Sequence, residues 1–431
     1  MTLRRAYLLI LVAWVHLGDL LSAWIYQSGA VPAVAYARPL RDAIVIVTAG
    51  LCLATARMAR SLWMPLLAYV GLALLALAAS LAAALPASVL VGSFGTLLIP
   101  VLFFLVGYHC VRDTADIRAL VVCHVTIASF SAAFGAWDIQ HTEFWTETIG
   151  FPAYMAGIKG LVYGAEPDTR LPYNFFIDLE HTRRAAGLVA APLAQGIVLA
   201  VAGVLVVATR PTRIGLWRAL TCVGLAAGVW MSGTRGAMLV GTVALTGYLM
   251  TTPALRRQPV LRLLVASTVL LGIFLVTRNV VDATIDQTDG SSPGHWAAFQ
   301  RNIDGFPQIP LLGYGVGAQG PIAAQSVPVR VGGGEGAIFS IAYQIGAPAA
   351  LMLLVFYAVC LVRLWRADRA HQLPYALATF WLMIGLATTF ITSDHLLAVS
   401  GSASLWLLTG GGMRLLAMAQ DAVSDATEAA A

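Results

Sequence analysis

All but one of the 26 basic residues in this 431-residue chain are arginine; the exception is Lys159. Several arginines stand near groups that can bind an anion or move a proton. Arg235 lies in "WMSGTRGAMLVG", between Gly233 and Gly236. A guanidinium in a glycine-rich turn can converge with backbone N–H groups on an anion, and its planar fork matches phosphate. Arg183 and Arg184 open a second apolar stretch, and Arg301 shares a segment with His295. Glu335 stands in "GGGEG". His295 and Glu335 have the chemistry a general base needs. Each residue also has a plainer reading: an arginine can snorkel at a helix end, a loop histidine can bond to backbone, and an acid is favoured in a helix's first turn. No His, Cys, Asp or Glu spacing suggests a divalent ion, so no metal and no cofactor is expected.

The elements that must carry these residues follow from composition. Hydrophobic residues make up 59% of the chain and charged residues only 11%. A soluble globule needs about 25% charged residues. The chain is therefore read as an all-α polytopic membrane protein, a single membrane domain over 1–431. Spans are predicted near 6–24, 41–57, 62–84, 88–110, 117–137, 186–209, 217–231, 236–252, 262–277, 336–362, 374–393 and 395–416. That is about twelve helices of the length a bilayer requires. The N-terminal stretch runs too long for a cleaved leader and is taken as the first span. Between Arg218 and Arg256 one continuous helix would measure roughly 55 Å against a ~30 Å core, so it must break. "SGTRG" is the break: Gly233 and Gly236 permit the turn, and Ser232 and Thr234 can cap it.

The arginines orient the chain. The segments assigned inside are short and all basic, and most outside charge falls in two long loops, 138–185 and 278–335. The positive-inside rule discounts long loops, so both termini are expected in the cytoplasm. Residues 417–431 read as a polar cytoplasmic tail. The five cysteines, Cys52, Cys110, Cys123, Cys222 and Cys360, read as small apolar residues. No basic run with interleaved aromatics occurs, which argues against nucleic acid as a partner. His16 and Asp19 share a face of the first helix and are expected to pair with each other or with a neighbouring helix. Asp394 and His395 fall in an outer loop. Trp145, Phe151, Tyr154, Tyr163 and Tyr173 suit either sugar stacking or the interfacial belt.

"SGTRGAMLVG" resembles the S-x-[ST]-R-G-A signature of the bacterial O-antigen polymerase (Wzy-type) and O-antigen ligase superfamily. "RRAAGLVAAPLAQG" is similar to that superfamily's Arg-x-x-Gly…Pro opening of the helix after an external loop. "GHWAAFQRNIDGFPQIPLLGYGVGAQG" resembles its external segment ending in Pro…Gly-x-Gly, and "GGGEGAIFSIAYQIGAPAALMLL" its return helix. The likeness holds in order from about Arg183 to about Arg363. It is closest to exopolysaccharide polymerases, which carry a similar Gly-His and Glu.

The resemblance implies a GT-C type glycosyltransferase at the outer face of the bacterial inner membrane. It implies a polyprenyl-pyrophosphate-linked oligosaccharide donor, a glycan acceptor, and neither nucleotide sugar nor metal. Arg235 and Arg184 would bind the pyrophosphate, with Arg183 and Arg301 as second choices and Gly233 and Gly236 shaping the turn. Related ligases place a histidine before the return helix; here Glu335 stands there, so Glu335 and His295 both remain candidate bases. Membrane lipid and a polysaccharide export or chain-length machinery are the implied partners. A ligase that attaches a finished glycan, and more distantly a lipid-linked sugar flippase, are the rival readings.

Overall fold

A computed structural model describes residues 2–55, 58–81, 85–160, 171–177, 182–209, 215–253, 267, 292–320, 331–369, 373 and 375–430. Among them the protein is helical throughout; one isolated bridge, Phe176 to Arg183, is its sole extended pairing. The long helices are α1 (Leu3–Gln27), α2 (Val31–Thr55), α3 (Arg60–Ser80), α4 (Ala87–Cys110) and α5 (Thr114–Asp138). After the short α6 (Phe151–Lys159) come α7 (Pro192–Thr209), α8 (Leu216–Met231) and α9 (Arg235–Thr251). The chain ends with α10 (Ser292–Gly305), α11 (Ala337–Ile345), α12 (Ala347–Arg369), α13 (Ala376–Ala387) and α14 (Val399–Ala430).

Six of these, α1, α3, α4, α5, α7 and most of α12, are long and apolar enough to cross a bilayer; α8 and α13 are shorter apolar helices. The protein is membrane-embedded: single-sided burial inside a soluble core cannot explain so much apolar surface, with Leu3, Trp24, Val91, Phe130 and Trp217 all exposed. The span expected at 262–277 lies outside the described residues, as do Arg278 and Arg330 of the second loop.

Helix α7 sits at the centre. Nearly every residue from Ala194 to Val206 is buried, and it packs on α5, α8, α9 and α14. Helices α4 and α14 cross closely: a Cβ on Gly107 would overlap the carbonyl of Leu407, and one on Gly410 the carbonyl of Phe104. Small residues permit such approach between membrane helices. Polar pairs tie the bundle together. His124 Nε2–H donates to the Val198 carbonyl at 3.1 Å, leaving Nδ1 to accept from His16 Nε2 at 3.1 Å, with Ser404 Oγ 2.9 Å from the same His16 nitrogen. His16 and Asp19 therefore pair with neighbours, not each other: Asp19 accepts from Lys159 Nζ at 2.6 Å and Tyr154 Oη at 3.1 Å.

Arginines at the helix ends are engaged locally. Arg5 Nε donates to Asp116 at 2.7 Å, Arg363 to Ser61 Oγ at 2.9 Å, and the Arg414 guanidinium lies 5.7 Å from the Tyr108 ring. In the described part of the first loop, Trp145, Phe151 and Tyr154 are buried with Phe175 in a small aromatic core, so packing rather than exposure claims them.

Four boundaries depart from expectation. Helix α2 begins at Val31, ten residues before the span expected from 41, and Arg41 lies within it, paired to Asp42 at 2.7 Å. The expected 336–362 span is two helices. Gly346 separates α11, about 13 Å long, from α12. The freed carbonyls at that break meet the loop 311–317: Tyr314 N–H donates to Tyr343 O at 2.7 Å, Gly315 N–H to Gln344 O at 3.2 Å. Non-helical backbone is tolerated at membrane depth only when satisfied this way. Helix α13 stops at Ala387, ahead of turns through Thr392, where the span was expected to reach 393. Finally α14 runs on through Ala430, so residues 417–430 continue a helix.

Candidate functional site

The α8–α9 turn is the first piece. Gly233 takes φ +60°, a left-handed conformation that a residue with Cβ resists. Ser232 Oγ donates to Val229 O at 2.7 Å and accepts the Thr234 N–H at 3.3 Å. Thr234 does not cap α9, as its position had suggested; its hydroxyl donates to Pro192 O at 3.2 Å and ties the turn to α7. Helix α9 thus begins with Arg235 and has no acid in its first turn.

The segment 182–186 lies along this turn. Arg184 N–H donates to Phe175 O at 2.8 Å and Ala185 N–H to Met231 O at 2.9 Å. The Arg184 side chain passes Gly233: its Cγ is 3.3 Å from where a glycine Cβ would stand. Arg183, next in an extended strand, points the other way. Its guanidinium approaches the Asp138 carboxylate at 4.0 Å and lies over Phe175 and Phe176 at 5.2 and 5.6 Å. Asp138 is fully buried and accepts the Gly187 N–H at 2.7 Å. Arg183 therefore serves the loop's packing, and the structure does not bring it to the other candidates.

His295 and Glu335, 40 residues apart, meet: Nδ1 and Oε2 are 2.5 Å apart. The Glu335 hydrogen bond raises the imidazole above its ordinary value; burial opposes this, as do the charges of Arg235 and Arg184. Packing brings the pieces together: Gly236 lies against His395, the turn before His395 receives the Ala337 N–H two residues from Glu335, and Arg184 passes Gly233. Arg235, Arg184, His295 and Glu335 therefore share one region. Arg301 does not join them; it is exposed on another side of α10.

One buried residue that the sequence did not flag holds the pair. Asn302 Nδ2 donates to Glu335 O at 2.7 Å, while its Oδ1 accepts from Gly333 N–H at 2.7 Å and Gln319 Nε2 at 3.1 Å. It lies two turns after His295, on the same face of α10. The loop fits so closely that a Cβ on Gly333 would overlap the Ala298 carbonyl. No local signal marks Asn302; only its placement on the His295 face could have suggested it.

Asp394 and His395 complete the region. Ala337 N–H donates to Ser393 O at 3.0 Å, so the start of α11 rests on this turn. His395 Nε2 stands 3.1 Å from where a Cβ on Gly236 would be, which gives Gly236 a packing role. Burial pushes the Asp394 carboxyl up to about 7, with Glu335 adding to it, and pushes the His395 imidazole down to about 4. Among the described residues no group of three His, Cys, Asp or Glu gathers as metal ligands. The arrangement offers two guanidinium groups for an anion and, beside them, an imidazole oriented by a carboxylate. No family profile matches this chain, and no curated protein matches it either.

Proposed function

We propose that this protein is a metal-independent, GT-C type glycosyltransferase that polymerises polysaccharide from lipid-pyrophosphate-linked glycan units. Its site would face the outer side of a bacterial inner membrane, with both termini cytoplasmic and about twelve spans in all. The observation that carries this reading is the His295–Glu335 contact, with the Arg235 turn packed beside it through Gly236 and His395. The four motifs that resemble the O-antigen polymerase and ligase superfamily supply the neighbourhoods of Arg184, Arg235 and His295 in one chain order, and the fourth motif supplies Glu335.

The chemistry follows from the residue types. His295 bonds Glu335 through Nδ1, which leaves Nε2 to take the proton of an acceptor hydroxyl. That oxygen attacks the anomeric carbon of the donor sugar. The bond to the carrier's pyrophosphate breaks, and the leaving oxygen's charge falls to Arg235 and Arg184. A cation at the N-terminus of α9 opposes the helix dipole by about 0.3–1 kcal/mol. A bound pyrophosphate would remove that penalty, which is a reason for an arginine to stand there.

The test is a strain lacking the protein, complemented by variants. Arg235→Ala and Arg184→Ala are expected to insert normally and make no polymer, and Arg235→Lys to work poorly because a point charge cannot copy the fork. Full polymer from both alanine variants would refute the reading. Single repeat units on the lipid carrier are the expected product that accumulates; long chains on the carrier would instead mark a ligase, and units trapped at the cytoplasmic face a flippase.

A further inference from the structure

Next to the Asp394 turn lies a cavity of ≈ 90 Å³, open on one side and lined by Ser93 of α4, Gln319, Ser340 and Gln344 of α11, Asp394 and Leu397. Three buried oxygens there make no hydrogen bond: Ser93 Oγ, Gln319 Oε1 and Asp394 Oδ1. Ser93 and Gln319 are each 4% exposed. The amide of Gln319 cannot be turned to escape this. Its Nε2 donates to two acceptors, Asn302 Oδ1 and Val331 O, both at 3.1 Å, which fixes Oε1 toward the cavity. Gln344 is fixed likewise, donating to Ser340 Oγ at 3.0 Å and accepting the Gly317 N–H at 2.9 Å.

Buried polar groups without partners are rare, and three around one cavity call for a shared partner. Gln319 Oε1 can only accept, while Ser93 Oγ and the Asp394 carboxyl can accept or donate, so the partner must carry at least one donor among groups that do both, as hydroxyls do. Size decides its class. A single water or ion needs on the order of 10–15 Å³ of such space, and this cavity is several times larger. A cluster of hydroxyls on a carbon frame fits, with Leu397 offering a wall to C–H groups. The cavity also adjoins the pair: Asp394 follows Ser393, which receives the N–H of Ala337, two residues after Glu335.

We infer that this cavity is the subsite for the acceptor sugar, holding hydroxyls of a pyranose on Ser93, Gln319 and Asp394 so that a neighbouring hydroxyl faces His295. The inference rests on the glycosyl-transfer reading but is separable from it. Ser93 is the informative position, because its hydroxyl makes no internal bond and its replacement breaks none. With the full chain in nanodiscs, transfer is measured between lipid-linked donor and an oligosaccharide freed from its carrier, which can only accept. Ser93→Val, which puts two methyl groups where the hydroxyl bond would form, is expected to raise the acceptor KM about tenfold or more, and Ser93→Ala by less. The donor KM should stay unchanged in both. An unchanged acceptor KM, or an equal rise in both KM values, overturns the inference. If the wild type transfers nothing, the glycosyl-transfer reading falls and binding alone decides. Saturation-transfer NMR is then run with methyl pyranosides of the gluco, galacto, manno, rhamno and fuco series. Binding lost in Ser93→Val upholds a sugar subsite; no binding, or binding equal in both proteins, overturns it.

Discussion

Replacing Asn302 by leucine removes three side-chain hydrogen bonds at once, to Glu335 O, Gly333 N and Gln319 Nε2. Leucine keeps the branch at Cγ and the number of heavy atoms but offers no donor or acceptor, so the three bonds are lost without opening a cavity. Two of these bonds tie the segment 331–336 to α10, so at about 1 kcal/mol net for each it loses roughly 2 kcal/mol of its hold. That corresponds to about a thirtyfold rise in its open population. Hydrogen exchange measured on the full chain in nanodiscs reads this directly. Peptides covering 331–336 should exchange about thirtyfold faster, with α12 as an unaffected internal reference. Asn302→Asp keeps both acceptor bonds and loses only the donor to Glu335, so its effect should be about tenfold or less. Exchange in the leucine variant equal to wild type would refute the assignment of Asn302 as the latch that positions Glu335.

Other outcomes follow from the same contacts. Arg183→Met strands a buried carboxylate with a single backbone donor, an arrangement that costs about 3–5 kcal/mol, so the thermal midpoint should fall and Asp138→Asn in the same chain should restore most of it. An unchanged midpoint would return Arg183 to the anion-binding candidates. The raised His295 value predicts transfer that rises with pH through a midpoint above 6.5, because the base must be unprotonated. In Glu335→Gln that midpoint should move down; the same midpoint in both proteins would dissociate the pair from catalysis. The sign for stability is opposite: the pair's contribution is full below about pH 6.5 and lost as pH rises through the raised value. With side chains 58% and 38% exposed it amounts to less than about 1 kcal/mol, so the melting temperature should barely follow pH in this range.

Local rules carried the sequence reading a long way. Excess length plus two glycines located the α8–α9 turn, because both constraints act within a few residues. His295 and Glu335 were each visible by type, but their contact joins positions 40 apart and depends on α10 folding back. Arg183 and Arg184 show the limit sharply. In an extended segment neighbouring side chains face opposite ways, so one of the two had to turn inward, and nothing local says which. Gly346 was read as the midpoint of one helix because the apolar run continues across it. What breaks the helix there is a partner for its carbonyls, and that partner arrives from residues 311–317. Ser93 lies in an apolar stretch and reads as a small packing residue until α11 and Asp394 close around it. Helix α2 starts ten residues ahead of the expected span because the apolar run counted for a span begins only after Arg41, while the helix backbone continues through Arg38 before it.

The contact of His16 with His124 and Ser404 also sets a timetable for synthesis. The chain is made at about 5–20 residues per second. His16 therefore waits roughly 5–20 s for its partner 108 residues later, and roughly 20–80 s for the serine 388 residues later. For most of a minute the first helix carries a polar ring whose final partner does not yet exist. The ribosome must reach Ser404 before this ring has its full set of partners, so a chain stopped anywhere between the two residues carries the ring with that partner missing.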